Sequence, residues 1–297
     1  MNINRLAAID IGSNSVKLLI SDAINSNNKI ALRTASFTRV PLQLGEDTFS
    51  MGYVSEEKIR KLSELIKTFI SLVQINEVEY WSICATSALR EAANANEIVD
   101  YLWNSTRQYI NIISTDEEAR LIGLNLENRR DDDNKVYVVA DVGGGCTEIT
   151  AFVKNQKPVY KSFDLGTIRP LKKEEELSEW KKLETWMQSV RNGHKELILM
   201  GSGGNINQLN SIFRKRGKIK RYDLNKYYIY LKEMDYEEFI FSAKIGLNRA
   251  MVIMPAIKIY LHLMKILKAE EIEIPVIGLA DGMIRNLYSE KISKIQF

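Results

Sequence analysis

Val136-Tyr137-Val138-Val139-Ala140-Asp141-Val142-Gly143-Gly144-Gly145-Cys146-Thr147-Glu148 is the stretch on which the reading of this chain turns. An apolar, β-branched run predicts a buried strand ending at Asp141. Three consecutive glycines follow, in a setting where glycine costs stability. Ordinary turn chemistry explains that run poorly. A loop whose backbone must approach a ligand explains it well. Backbone N–H groups of Gly143, Gly144 and Gly145, with Cys146 and Thr147, suit the oxygens of a phosphate.

Outward from this loop the chain stays regular. Glu148–Val153 and Val159–Asp164 predict two more strands, about Lys172 to Arg191 a helix, and Leu197–Met200 a strand. Gly201-Ser202-Gly203-Gly204-Asn205 then follows a strand and opens a helix. That is the geometry of an anion site at a helix N-terminus, with Gly203 and Gly204 nearest the anion, although a plain left-handed turn also uses glycine there.

The same order occurs earlier. Leu6–Ile11, Val16–Ser21 and Lys29–Val40 predict an antiparallel meander, with Asp10-Ile11-Gly12-Ser13-Asn14-Ser15 at its first turn. A helix opening at Ser55, a strand at Tyr80–Ala85, a helix at Asn94–Asn104, a strand at Ile110–Ile113 and a helix at Thr115–Leu126 follow. A meander with an Asp-X-Gly loop, then alternating helices and strands, thus appears twice. This predicts an α/β protein of duplicated domains, 1–126 and 127–282, divided at the polar break Glu127–Asn134. A terminal helix within 283–297 is expected to pack back on the first domain.

Two Asp-X-Gly hairpins, one per half, can clamp a phosphate chain. In the first, Ser13 and Asn14 suit phosphate, while the Asp10 carboxylate, repelled by phosphate, suits a divalent ion held through water. Ser114-Thr115-Asp116-Glu117-Glu118 opens a helix. Capping and the helix dipole account for these acids, and a general base is the alternative. Arg90, just past a buried strand, can grip phosphate bidentately or form an ion pair with a neighbour.

The 297 residues suit two domains, and 45% hydrophobic with 27% charged residues is ordinary for a globular protein. A net charge of +3 gives no global field for nucleic acid, so none is expected as a partner. Arg214–Arg221, with six basic residues in eight, is the local exception. The two cysteines, Cys84 and Cys146, allow no disulfide framework, and Asp10 falls where a secretory signal would be apolar. A cytoplasmic setting is expected. Ile245–Leu267 carries Arg249, Lys258, His262 and Lys265 and reads as an amphipathic helix rather than a membrane span.

The segments AAIDIGSNSVKLLI, ATSALREAAN, ISTDEEARLIGL, VVADVGGGCTEIT and GSGGNI, in this order, resemble the Ppx/GppA phosphatase family, in its short two-domain form. The resemblance covers nearly the whole chain. It implies two actin-like, ribonuclease H-like lobes with a cleft between them. It implies hydrolysis of a terminal phosphoanhydride in inorganic polyphosphate or guanosine pentaphosphate, with Mg²⁺ as cofactor. By that resemblance Glu118 is the catalytic base, Asp141 and Glu148 bind metal or position water, Arg90 contacts phosphate, and the first loop supplies Asp10, Ser13 and Asn14. Two residues depart from the family pattern: Cys146 stands where serine is usual, and Met251 where an acid is frequent. A superfamily kinase and a non-catalytic sensor of polyphosphate or guanosine tetra- or pentaphosphate are the rival readings. A homodimer stays open.

Overall fold

The expected meander is present as β1 (Asn2–Ile11), β2 (Ser15–Ser26) and β3 (Lys29–Pro41), antiparallel throughout. The computed structural model describes residues 2–26, 29–126, 135–153, 156–169, 171–191, 196–214, 217–235, 247–275 and 278–292. After β3 come α1 (Leu44–Met51), α2 (Glu56–Ile75), β4 (Tyr80–Ala85), α3 (Ser87–Glu91), α4 (Ala95–Thr106), β5 (Asn111–Ile112) and α5 (Thr115–Leu124). The five strands form one sheet in the order β3-β2-β1-β4-β5, with β4 parallel to β1 and β5 parallel to β4. Period-2 alternation sends Ile9, Ile11, Val16 and Leu18 into a core with Leu62, Ile66 and Phe69 of α2 and Leu102 of α4. The opposite set, Asp10 and Lys17 among them, lies on the other face.

α1 is absent from the sequence reading, and its ends explain why. It starts after Gln43 in a left-handed conformation (φ 53°) with no side-chain cap, and stops at Gly52 (φ 83°). It is held by its neighbours instead: Gly45 N donates to Ser13 O at 2.8 Å.

The second unit repeats the plan. β6 (Lys135–Val142), β7 (Thr147–Val153) and β8 (Val159–Phe163) form a meander, followed by α6 (Lys173–Arg191), β9 (Glu196–Ser202) and α7 (Gly203–Ile212). Then come β10 (Lys218–Lys220), α8 (Arg221–Glu233), α9 (Leu247–Leu267) and β11 (Glu271–Glu273). The sheet order is β8-β7-β6-β9-β11-β10, which is the order of the first sheet with one strand added at the edge. α9 buries Ile253, Ile257, Tyr260, Leu263 and Met264 in the core with Val136, Val138 and Leu199. No helix among the described residues is long and apolar enough to cross a membrane.

The added ladder of β10 and β11 corrects one sequence reading. Lys218 and Lys220 stand opposite Glu273 and Glu271, around the fully buried pair Ile219 and Ile272. Lys218 Nζ lies 2.6 Å from Glu271 and 3.0 Å from Glu273, and Arg221 lies 3.2 Å from Glu270. Lys218 and Arg221 are therefore neutralised within this unit, which removes them from the polyanion patch expected at Arg214–Arg221. Lys215 and Arg216 lie outside the described residues, as do the break Glu127–Asn134 and His194.

The chain divides into units Met1–Asn125 with Gly278–Phe297, and Leu126–Ile277. The return is α10 (Leu279–Lys291), which packs on β1, β2, β4 and α5. Each unit is an α/β lobe of the actin-like, ribonuclease H-like kind.

Candidate functional site

In the first lobe the Gly12–Asn14 turn closes with Gly12 N donating to Ser15 O at 3.2 Å. Its outside is tied to three segments. Leu42 N and Gln43 N both donate to Asn14 O, Gly45 N donates to Ser13 O, and the Ser13 and Ser87 hydroxyls share a buried 2.8 Å hydrogen bond. Thr86 N reaches Ile11 O, so β4 delivers α3 beside the loop. Ser13 and Asn14 thus sit in one cluster with Ser87, to which sequence reasoning gave no role. Asn14 Oδ1 is buried without a hydrogen-bond partner. An acceptor left in that state is costly until a donor or cation reaches it.

The acids at the start of α5 divide. Ser114 Oγ caps the helix by accepting from Glu117 N, and Glu117 pairs with Arg120 at 2.7 Å. Glu118, only 7% exposed, turns inward, where its Oε2 accepts from Arg90 Nη1 at 3.1 Å. The same Arg90 nitrogen donates to Ile113 O at 3.0 Å. Capping therefore accounts for Glu117, not for Glu118. Arg90, expected at phosphate, also orients Glu118.

Asp10, expected to hold a divalent ion through water, has a partner of its own. Its carboxylate, 4% exposed, is bonded to Lys17 Nζ at 2.6 Å, directly across the β1–β2 ladder. Lys17 carried no role in the sequence reading. It also faces Asp281, whose carboxyl is pushed up by burial while Gly278 N donates to it at 2.9 Å.

In the second lobe the glycine turn is braced from one side. Gly143 N donates to Cys146 O, Thr167 N to Gly143 O, Ile168 N to Gly144 O, and the Arg169 guanidinium to Gly145 O. Gly166 permits this approach: a Cβ there would lie 2.1 Å from Gly144 O. With all three glycine carbonyls engaged, peptide planarity turns the following N–H groups the other way. The N–H groups of Gly144 and Gly145 make no hydrogen bond among the described residues. Sequence reasoning missed the brace; its one signal was Gly166-Thr167 in a short polar connection. Thr147, expected at phosphate, is fully buried with its hydroxyl donated to Leu165 O, so its side chain belongs to the brace. Cys146 is 5% exposed, with Sγ 3.8 Å from Glu148 Oε1.

Asp141 and Glu148 stand directly opposite on the β6–β7 ladder. Asp141 Oδ2 accepts from Ser202 Oγ at 3.2 Å. That contact takes the Ser202 hydroxyl, and α7 starts without a side-chain cap. Gly203 has φ +84°, and a Cβ there would come within 2.2 Å of Asp141 Oδ1. Gly203 thus makes room for the carboxylate, and the first N–H groups of α7 start beside it, at Gly204. Tyr260, wholly buried beneath, has its phenol pushed far up by burial and by the Asp141 charge. Two like charges opposite one another are unfavourable alone. The donor set fits magnesium, which is held by one or two carboxylates together with water and substrate phosphate. Among the described residues no three His, Cys, Asp or Glu side chains group for a metal. The side chain of Met251 lies outside the described residues.

A cavity of about 580 Å³ in the first lobe, lined by Trp81, Cys84, Glu117 and Leu287 among others, contains none of the expected site residues.

Residues 23–291 match the Ppx/GppA phosphatase family. A 169-residue segment is 31% identical to a bifunctional 3-dehydroquinate synthase/phosphatase of Fusobacterium nucleatum, covering 55% of this chain and 25% of that protein. A 165-residue segment is 28% identical to exopolyphosphatase 1 of Mycobacterium leprae, covering 56% of this chain and 48% of that one. The matches thus span half or less of these relatives' lengths. Among solved structures, an exopolyphosphatase of Cytophaga hutchinsonii superimposes with TM-score 0.80 at 21% identity, covering 96% of this chain and 98% of that one. The Aquifex aeolicus Ppx/GppA family member gives 0.76 at 23% identity, covering 98% and 99%. At these identities the structural matches carry the fold, a two-domain actin-like one. With the family matched across most of its length, the chain belongs to the Ppx/GppA phosphatase family.

Proposed function

We propose that the protein hydrolyses the terminal phosphoanhydride bond of inorganic polyphosphate and releases orthophosphate. The observation that carries this reading is the braced glycine turn, whose Gly144 and Gly145 N–H groups are unengaged and fixed in direction. Such a preorganised nest suits the charge that develops on a transferring phosphoryl group. The uncapped start of α7 at Gly203 and Gly204 offers further N–H donors beside it. Ser13 and Asn14 supply the first lobe's contacts to phosphate.

Glu118 is the general base. The attacking water's oxygen forms a bond to the terminal phosphorus, the bridging P–O bond breaks towards the shortened chain, and the water's proton passes to the Glu118 carboxylate. Arg90 holds that carboxylate in position. Asp141 and Glu148 would hold magnesium, which when bound supplies neutralisation of phosphate charge. Family membership and the likeness to a mycobacterial exopolyphosphatase support this chemistry. The 5′-γ-phosphate of guanosine pentaphosphate is the alternative substrate, because it presents the same terminal group. Orthophosphate release measured side by side on tripolyphosphate, long polyphosphate and guanosine pentaphosphate tests the proposal. Faster release from the polyphosphates is expected. Release from the nucleotide alone reassigns the substrate, and release from none overturns the reading.

A further inference from the structure

Four arginines of the first lobe are partly shielded from solvent, and three of them are satisfied. Arg5 pairs with Asp22 at 2.7 Å, Arg90 with Glu118 at 3.1 Å, and Arg285 donates to Asn125 Oδ1 at 3.0 Å. Arg39 is the fourth. It has no hydrogen bond or ion pair among the described residues, and burial pulls its guanidinium below the usual arginine range. A shielded cation without a partner is unfavourable in the free protein.

Its position gives the reason for keeping it. Arg39 stands opposite Lys17 on the β2–β3 ladder, and Lys17 stands opposite Asp10 on the β1–β2 ladder. The row reads Arg39, Lys17, Asp10. Lys17 is bonded to Asp10, whereas Arg39 has no such carboxylate among the described residues. Two residues further along β3, Pro41 pairs with Ser15, and Leu42 N and Gln43 N then bind Asn14 O. The strand that carries Arg39 is therefore fastened to the phosphate loop itself, about two strand residues, or roughly 7 Å, from it.

We propose that Arg39 is an anion subsite, binding a phosphoryl group of the substrate chain next to the one held by the Gly12–Asn14 loop. The inference rests on the phosphate-chain reading above. Guanidinium suits the role because its planar fork grips phosphate oxygens through two parallel N–H donors. The contact is to a group that does not react, so it acts on binding rather than on the chemical step.

The test compares wild type, Arg39→Gln and Arg39→Lys in three measurements. In steady-state orthophosphate release from tripolyphosphate, Arg39→Gln should raise KM about tenfold with kcat within about twofold, and Arg39→Lys should fall between. The slope of log KM against log salt should be shallower for Arg39→Gln. In thermal unfolding without ligand, Arg39→Gln should be as stable as wild type or more so, because an unpaired shielded charge has been removed. Unchanged KM and salt slope overturn the proposal. So does a fall in Tm with KM unchanged, which would make Arg39 a packing residue. If wild type releases no phosphate, calorimetric titration with inorganic tripolyphosphate separates the two ideas. Weaker binding by Arg39→Gln keeps the anion subsite while the hydrolase reading fails; equal binding overturns the subsite.

Discussion

The two hairpins are built on one plan and carry different charges beside the turn. Asp10 and Asp141 occupy equivalent places, next to last in the first strand of each meander. Across the ladder Asp10 meets Lys17, whereas Asp141 meets Glu148. The first hairpin pairs its two charges with each other. The second places two carboxylates opposite one another, the pair proposed above to hold magnesium. The same scaffold occurs twice, with opposite charges facing one another beside one turn and like charges beside the other.

The comparison can be broken in order of effect. Glu118→Gln removes the carboxylate proposed as the base in the first lobe. Phosphate release should fall by about 10²–10⁴ while tripolyphosphate still binds. Near-normal release would take Glu118 out of the mechanism. Lys17→Met leaves the Asp10 carboxylate buried and unpaired. Urea denaturation should register a loss of about 3 kcal/mol, and an unchanged midpoint would mean that Lys17 is not the ion holding Asp10.

Glu148→Lys gives the second hairpin the charge pattern of the first. Without divalent ions, removal of the facing like charges should raise stability by up to about 1 kcal/mol. Magnesium chloride should raise the Tm of the wild type but not of Glu148→Lys, and phosphate release should fall in the variant. A magnesium response that survives would place the ion elsewhere.

The smallest effect is expected at a histidine outside the two hairpins. His262 lies against Trp180, with Nε2 3.1 Å from Glu184 Oε1. Burial pushes its imidazole below the ordinary histidine range, Glu184 offsets this in part, and Lys258 and Lys265 add to it. The unfolded chain therefore binds the proton first as pH falls. Stability is complete above about pH 6.5 and declines as pH drops towards the folded value. Between pH 7 and pH 5 the Tm of His262→Gln should fall less than that of the wild type, and identical falls would exclude His262 as an acid-sensitive group.

The sequence made the duplication legible because each copy carries its own period-2 alternation and its own Asp-X-Gly turn. It was less informative where one residue had two explanations. Asp116, Glu117 and Glu118 share a helix start, and only the inward turn of Glu118 towards Arg90 tells them apart. Short elements were illegible for a different reason. Lys218–Lys220 and Glu271–Glu273 each hold one apolar residue between charges, so each alone reads as solvated chain. Their identity as strands lies in a pairing between positions about fifty residues apart. The brace Leu165–Arg169 was hidden similarly, because much of its work is done by backbone atoms that leave little mark on composition.

The return of α10 to the first lobe has a consequence for the order in which the protein can be made. Asn125 Nδ2 donates to Gly278 O across 153 positions of chain, and a Cβ on Gly282 would lie 2.0 Å from Leu121 O. Helix α5, which carries Glu118, thus rests backbone to backbone on a segment the ribosome delivers much later. At about 5–20 residues per second that interval is roughly 8–30 s. The second lobe can complete its sheet during this time, whereas the first holds its α10 face uncovered. The support behind α5 thus arrives only after the chain of the second lobe has been made.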